Sequence, residues 1–235
     1  MWKVQQNQVR RSTSRNELPK APQCVLNVIH QEECLGVLIG GYRLVFAMKK
    51  KLLVLLPAVL CLMTAVLGYL YWRTTRFDGL IREATQRYEL DFQLVKALIH
   101  EESWFDPDAR GKNGEIGLMQ VTPIVAQEYR QMEINPGRPR PDLRVPSDNL
   151  FVGCWYLRQS LDIFKNHRIS LVLALARYNA GESRVKLWIK QAYNSKLKPD
   201  ELNEGMFLKA IDIPSTREYI NRILRRYRSR HIAWL

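Results

Sequence analysis

The sequence predicts an all-α protein with one membrane-spanning helix near its N-terminus. From residue 77 onward, apolar residues recur at helical spacing with almost no strand-like alternation. Before that, residues 52–72 form a run of 21 residues without a charged side chain. A helix of that length covers about 31 Å at about 1.5 Å per residue, close to the hydrocarbon thickness of about 30 Å. A soluble core helix rarely lacks charge on every face, so a membrane helix is the preferred interpretation.

The flanks of this run predict its orientation. Three lysines, 49–51, precede it, and the aromatic residues Tyr69, Tyr71 and Trp72 cluster at its far end. Basic residues stay on the cytoplasmic side and aromatic rings favour the interface. We therefore expect a single-pass protein of the inner (cytoplasmic) membrane with its N-terminus inside and residues 73–235 in the periplasm; Arg73 and Arg76 oppose this orientation slightly.

The segment that starts at Met48 also resembles a signal sequence, with a basic region followed by an apolar one. The apolar run is longer than in most signal sequences and is followed by no convincing A-x-A site, so we expect an uncleaved anchor over 52–72. Residues 1–51 are then a cytoplasmic tail, or mis-started upstream sequence if Met48 is the true start. Residues 73–235 form the predicted outer domain.

Composition narrows the class of protein. With 46% hydrophobic and 25% charged residues, the chain is globular and not disordered. Four cysteines in 235 residues exclude a disulfide scaffold, and the Cys24–Cys34 spacing is not that of a metal site. The net charge of +13 suits any polyanion, including an acidic cell-wall polymer. No nucleic-acid-binding motif accompanies the charge, so no nucleic-acid partner is predicted. No metal or organic cofactor is predicted either.

The outer domain divides into helices separated by loops. Two amphipathic segments, 77–90 and 91–105, precede a loop with Gly and Asp at 104–119. Thr122 and Pro123 are typical of a helix start, as cap and first residue. Four prolines predict a loop over 132–147, after which Ser147 or Asp148 is expected to cap a long helix to Phe164.

The second half of the domain contains the most apolar helix. Residues 169–179 are predicted to be the central buried helix, followed by a helix over 181–193. Residues 194–214 form a mixed connection, and Ser215 and Thr216 are expected to start the last helix. The predicted domain has about 160 residues and one core.

Two adjacent glutamates are candidates for acid catalysis. Glycosidic cleavage needs a carboxylic acid at the edge of an apolar pocket, where burial raises the pKa and keeps a proton available. Glu101 and Glu102 both follow an apolar helical stretch, and periodicity alone does not choose between them. A glutamate pair late in a helix is most often simply solvated.

The residues around this pair resemble a known family. Glu102 and Ser103, with Pro107, Ala109 and the run Gly117-Leu118-Met119-Gln120, resemble the E-S-x-x-x-P-x-A … G-L-M-Q signature of soluble-type lytic transglycosylases, family 23 of the glycoside hydrolases. Further matches follow in the expected order across residues 77–228. They are Asp148-Asn149-Leu150 with Gly153, Tyr156 and Leu157; Ala176-Arg177-Tyr178-Asn179-Ala180-Gly181; and Thr216-Arg217-Glu218-Tyr219-Ile220.

This resemblance implies a lysozyme-like α fold of the goose type and a peptidoglycan substrate. It implies cleavage of the β-1,4 bond between N-acetylmuramic acid and N-acetylglucosamine, with a 1,6-anhydro product. Glu102 would act first as acid and then as base. The implied substrate-binding residues are Ser103, Met119, Gln120, Tyr178, Asn179 and Tyr219.

Each of these binding residues also has a structural alternative. Gln120 could be a loop-capping amide and Asn179 a helix C-cap. Tyr178 and Tyr219 could be core rings, and Met119 is expected to be both cleft wall and core.

The chain departs from the family pattern at two positions. The serine common nine residues after the acid is Gly111 here, and Glu115 stands where a small residue is common. Two other functions therefore stay open. One is a lysozyme-type hydrolase, with Asp106, Asp108 or Glu115 as the base. The other is a non-catalytic peptidoglycan-binding scaffold.

Overall fold

A computed structural model describes residue 49 and residues 51–132, 140–193 and 201–229. Its helices are α1 (51–75), α2 (Asp78–Arg87), α3 (Phe92–Ser103), α4 (Pro123–Met132), α5 (Pro146–Ile163), α6 (Ser170–Ala180), α7 (Glu182–Ala192), α8 (Glu204–Ala210) and α9 (Pro214–Ser229). The described ranges contain no strand, only two isolated bridges that pair Ile116 with Arg110 and with Val121. The all-α prediction is confirmed.

Helix α6 lies at the centre of the outer domain, as its apolar sequence predicts. Its residues 172–176 are all buried, and it packs against α5, α7 and α9. Helix α3 packs against α2 and α9, with residues 94–99 buried. Lys96 is buried in this stretch because its ammonium group pairs with Asp78 on α2 at 2.8 Å. These contacts place the C-terminal end of α3 beside α9.

Two helix starts differ from the predictions, both for the same reason. Helix α5 starts at Pro146 and α9 at Pro214, each earlier than the Ser or Thr expected to cap it. Proline suits the first helical position because its φ is already helical and its missing N–H has no partner there. Asp148 does not cap α5; its carboxylate instead accepts a hydrogen bond from the Asp142 N–H at 2.9 Å.

The sequence pattern did not predict helix α8. It lies inside the predicted mixed connection and has only seven residues. The side chain of Asn203 caps it by accepting a hydrogen bond from the Met206 N–H at 3.0 Å. The predicted Thr122 cap of α4 is present, with its hydroxyl oxygen accepting from the Val125 N–H at 3.4 Å.

One helical segment of the described chain, Lys51–Arg87, is long and apolar enough to cross a membrane, and no part of its apolar window is buried. The residue contacts divide the chain into two compact units, Met1–Met63 and Thr64–Leu235. The boundary expected at 72/73 stays a prediction. Expectations about residues 1–48, including Cys24, Cys34 and the alternative start at Met48, lie outside the described residues, as do 133–139 of the proline-rich loop.

Candidate active site

The structure distinguishes the two glutamates at the end of α3. The Glu101 carboxylate accepts a hydrogen bond from Arg222 Nε on α9 at 2.7 Å, and Arg226 Nη1 lies 3.7 Å from its other oxygen. Glu102 instead accepts a hydrogen bond from the Tyr219 hydroxyl at 2.5 Å, and no cation of the described residues pairs with it. Glu101 is therefore the ion-paired member of the pair, and Glu102 is the carboxyl whose described hydrogen-bond partner is an uncharged hydroxyl.

This environment changes the proton affinity of Glu102. Burial raises its pKa from 4.5 to about 8, opposed by the Tyr219 hydrogen bond and helped by the negative charges of Glu101 and Glu115. Burial, followed by the charge of Glu102, raises the pKa of Tyr219 well above 10. Tyr219 therefore remains a donor, and Glu102 remains largely protonated at neutral pH, as an acid catalyst requires.

Helix α3 ends abruptly just after these glutamates. Trp104 and Phe105 adopt left-handed φ angles of 50° and 60°, and the Trp104 N–H closes the helix onto the His100 carbonyl. Such conformations are costly for residues other than glycine and cluster at functional sites. The turn directs the chain from Glu102 into the loop that ends at Gln120, which is also left-handed with φ 45°.

A buried asparagine fixes this loop. Asn149 on α5 accepts a hydrogen bond from the Met119 N–H at 2.9 Å and donates to the carbonyls of Ile116 at 2.7 Å and Leu143 at 3.0 Å. Its side chain pairs the Met119 N–H and the Leu143 carbonyl, and it is a second donor to the Ile116 carbonyl, which also accepts from the Val121 N–H at 3.0 Å. Asn149 is part of one family motif but was not predicted to be a site residue. The sequence feature that could have indicated its role is a single asparagine at the start of an apolar helical stretch.

Ser103 contributes to the same loop. Its hydroxyl lies 2.8 Å from the Leu118 carbonyl and 3.3 Å from the Ile99 carbonyl, which ties the end of α3 to the G-L-M-Q run. The hydroxyl proton is thus directed to the backbone. The predicted contact of Ser103 with substrate stays a prediction.

Met119 lies in the core. Its side chain is fully buried, and a Cβ on Gly153 of α5 would lie only 2.5 Å from the Met119 sulfur. The expectation that Met119 is a core residue agrees with this burial, whereas the expectation that it also forms a cleft wall does not, because no side-chain surface is exposed. Its carbonyl does reach the site, since it accepts a hydrogen bond from the Tyr178 hydroxyl at 2.9 Å.

The remaining predicted residues share a cleft. A cavity of about 240 Å³ is lined by Gln120, Tyr178 and Asn179, together with Tyr156 and Glu128. The Gln120 amide caps its loop, donating to the carbonyls of Gly117 at 3.0 Å and Ala109 at 3.2 Å.

Asn179 is not the C-cap of α6, which is Gly181. It lies exposed in the last turn, where its side-chain oxygen accepts a hydrogen bond from Thr216 on α9 at 2.7 Å. The structure thus gathers Gln120, Tyr178 and Asn179 at this cleft and joins Glu102 to Tyr219.

Gly111 and Glu115, the two residues that depart from the family pattern, are neighbours in the structure. A Cβ on Gly111 would meet the Glu115 carboxylate at 2.1 Å and the Glu115 Cβ at 2.8 Å. The Glu115 carboxylate is fixed there by the backbone N–H of Asn113 at 2.8 Å and its side-chain amide at 2.9 Å. Glu115 therefore fills the space that a side chain at position 111 would need, so a larger residue there would have to displace the Glu115 side chain.

The described residues contain no group of three His, Cys, Asp or Glu that could bind a metal ion. Burial raises the pKa of the Cys154 thiol well above its ordinary value, so this cysteine is inert. The chemistry available at the site is therefore that of a carboxylic acid with a raised pKa, next to tyrosine and amide groups.

Known proteins share this arrangement of helices. Residues 79–200 match the Transglycosylase SLT domain family. A membrane-bound lytic murein transglycosylase F from Desulfosudis oleivorans is 34% identical over 154 residues, which are 64% of this chain and 31% of that protein. A soluble lytic murein transglycosylase from Escherichia coli is 30% identical over 149 residues, 63% of this chain and 22% of that protein.

Solved structures agree with the sequence relatives. The lytic transglycosylase Slt of Pseudomonas aeruginosa, in an inactive glutamate-to-glutamine mutant, has a TM-score of 0.55 and 28% identity, covering 65% of this chain and 23% of that chain. A 70-kDa soluble lytic transglycosylase in complex with bulgecin A also has a TM-score of 0.55, with 26% identity over 65% of this chain and 24% of that chain.

The matched region is less than a third of the length of each of these proteins. The family match itself covers more than half of the present chain and includes Glu102 and the loop that follows it. The chain therefore belongs to the Transglycosylase SLT domain family.

Proposed function

We propose that the chain is a membrane-anchored peptidoglycan lytic transglycosylase, with an anchor at 52–72 and a catalytic domain at 73–235. The observation that carries this proposal is the state of Glu102. Its carboxyl has a pKa of about 8 and is hydrogen-bonded to Tyr219, whereas the adjacent Glu101 is ion-paired to α9. A single protonated carboxyl is what a one-acid mechanism needs.

In this mechanism Glu102 transfers its proton to the glycosidic oxygen as the bond between C1 of N-acetylmuramic acid and that oxygen breaks. The resulting carboxylate then accepts the proton of the muramyl 6-hydroxyl as its oxygen bonds to C1. The products are an N-acetylglucosamine with a free 4-hydroxyl and a 1,6-anhydro-N-acetylmuramic acid. Glu102 ends protonated, no water is consumed, and no second carboxylate is needed, in contrast to two-carboxylate glycosidases.

The surrounding residues have roles consistent with this chemistry. The Tyr219 hydrogen bond at 2.5 Å orients Glu102 and stabilises its anionic form between the two proton transfers. Gln120, Tyr178 and Asn179 line the cleft where the sugar chain would bind. Ser103 and Met119 support the site through backbone carbonyls: the Ser103 hydroxyl ties the catalytic helix to the loop at Leu118, and the Met119 carbonyl ties the loop to Tyr178 on α6.

The location of the substrate follows from the membrane segment. Some relatives are described as membrane-bound lytic murein transglycosylases, and the chain has one helix long and apolar enough to cross a membrane. With lysines at its N-terminal end, this helix would leave the N-terminus inside and the domain in the periplasm, where glycan strands lie.

The test uses the full chain in detergent, incubated with purified sacculi, with the products identified by mass spectrometry. The wild type should release anhydro-muramyl products, and Glu102→Gln should release none. Glu101→Gln is the matched control, because it removes a carboxylate one residue away whose partner is Arg222. It should retain the same products.

Two other results would overturn the proposal. Reducing muramic acid ends would mean that the protein is a hydrolase. Binding to sacculi without any product would mean that it is a peptidoglycan-binding scaffold.

A further inference from the structure

Two aromatic rings and two arginines form a surface where α1 meets the outer domain. Trp72 and Trp104 are 51% and 41% exposed, high values for such large apolar rings. The Arg73 guanidinium lies 4.1 Å from the centre of the Trp104 ring. Arg76 lies 4.5 Å from the centre of the Trp72 ring. We refer to Trp72, Arg73, Arg76 and Trp104 as the arginine–tryptophan surface.

Both arginines also bind the turn that ends the catalytic helix. Arg73 Nε donates to the Trp104 carbonyl at 2.8 Å, and Arg76 Nη2 donates to the Phe105 carbonyl at 2.9 Å. These are the two left-handed residues directly after α3. Two hydrogen bonds and a cation–π contact thus join the C-terminal end of α1 and the residue that follows it to the turn after α3.

No described carboxylate neutralises the charge of this surface. Within the described residues, neither Arg73 nor Arg76 has a carboxylate partner; their contacts are carbonyl oxygens, aromatic rings and the Tyr69 hydroxyl at 3.0 Å from Arg73. Arginine combined with exposed tryptophan is typical of the interface between lipid headgroups and acyl chains, where rings lie at the boundary and guanidinium groups bind phosphates.

The position of Arg73 in the sequence indicates the depth of this surface in the membrane. Arg73 directly follows the uncharged run 52–72, so in a protein that spans the membrane with this run, Trp72 and Arg73 lie at the interface. Trp104 is in contact with Arg73, so it lies at nearly the same depth although it is 31 residues further along the chain.

We propose that the arginine–tryptophan surface lies in the headgroup layer of an anionic phospholipid bilayer, so that Trp104 of the outer domain is itself a membrane contact. The proposal rests on the membrane anchor of the proposed function. It means that the outer domain itself contacts the membrane surface. Glu102 precedes Trp104 by only two residues on α3, so the glycan strands cleaved would be those next to the membrane.

The proposal also accounts for Arg73 and Arg76 on the outer side. They oppose the usual excess of basic residues on the cytoplasmic side of a membrane helix. Their contacts with Trp104 and Phe105 give them a structural role, and their unpaired charge complements phosphate groups.

The test reconstitutes the full chain in vesicles of phosphatidylglycerol and phosphatidylethanolamine whose acyl chains carry bromine, which quenches nearby tryptophan fluorescence. Trp104→Phe and Trp72→Phe should each lower the quenched amplitude, most strongly with bromine near the headgroups. Trp188→Phe is the matched control, because Trp188 is fully buried in α7 and bonded to Asp212. It should leave the quenched amplitude unchanged. Trp104→Tyr provides a second variant if the phenylalanine variant does not fold.

The outcomes distinguish the membrane anchor from the membrane contact of Trp104. A quenched amplitude lowered by Trp72→Phe but unchanged by both Trp104 variants would overturn the contact of the outer domain while keeping the anchor. No quenching of either tryptophan would overturn the anchor as well. Cleavage of sacculi in detergent is measured separately, so a failure of the catalytic proposal is recognised independently of where Trp104 lies.

Discussion

Replacing Glu102 by glutamine should make the protein more stable, and increasingly so as the pH rises. In the unfolded chain a glutamate titrates near its ordinary pKa of 4.5, whereas in the fold Glu102 titrates at about 8. The folded state therefore binds more protons than the unfolded state between these two values, and the free energy of unfolding falls as pH rises through this window. One pKa unit corresponds to about 1.4 kcal/mol, so the full cost of Glu102 reaches about 5 kcal/mol above pH 8 as an upper limit.

The assay is guanidinium unfolding of the full chain in detergent at about pH 5 and about pH 9, for wild type and Glu102→Gln. Every other group titrates alike in both proteins, so the change in their difference isolates Glu102. We expect the advantage of the glutamine variant to grow by about 2 to 5 kcal/mol between the two pH values. Glu101→Gln should gain nothing, because it loses its ion pair with Arg222. A difference between wild type and Glu102→Gln that is the same at both pH values would refute the buried, protonated carboxyl.

Three further substitutions test the environment of Glu102. Tyr219→Phe removes a hydrogen bond that lowers the pKa of Glu102, so the alkaline limb of the kcat/KM profile should move to higher pH and the rate should fall about 10- to 100-fold; an unchanged profile would contradict the role of the bond. Glu115→Gln removes a negative charge that raises this pKa, so the same limb should move to lower pH, and a move upward would show that the sign is wrong. Gly111→Ser should destabilise the fold by about 1 to 3 kcal/mol in thermal unfolding, because its Cβ meets Glu115 at 2.1 Å. Gly111→Ser combined with Glu115→Ala should recover most of that loss; if it does not, the two positions are not coupled by packing.

Helices with a strong apolar pattern were predictable from sequence. The segments that became α3 and α6 each contain at least five consecutive buried residues, and that pattern is visible in the chain itself. Helix α8 was not predictable in this way because it has seven residues, a glycine near its start and one buried residue, Phe207. Its stability depends on packing against α7, which a local pattern does not contain.

The candidate site was predictable as a set of residues but not as an arrangement. Periodicity left Glu101 and Glu102 equivalent, because the groups that separate them, Arg222 and Tyr219, are more than a hundred positions away in the chain. The burial of Met119 likewise depends on Gly153 of α5. Partners at such sequence separation are brought together only by the fold.

The central claim is that Glu102 cleaves peptidoglycan by intramolecular transfer and not by hydrolysis. The most direct measurement incubates this chain with sacculi in heavy-oxygen water at neutral pH and examines the released fragments by mass spectrometry. Intramolecular transfer should give anhydro-muramyl ends that are one water lighter than reducing ends and contain no heavy oxygen. Reducing muramic acid ends that carry the heavy oxygen would contradict it.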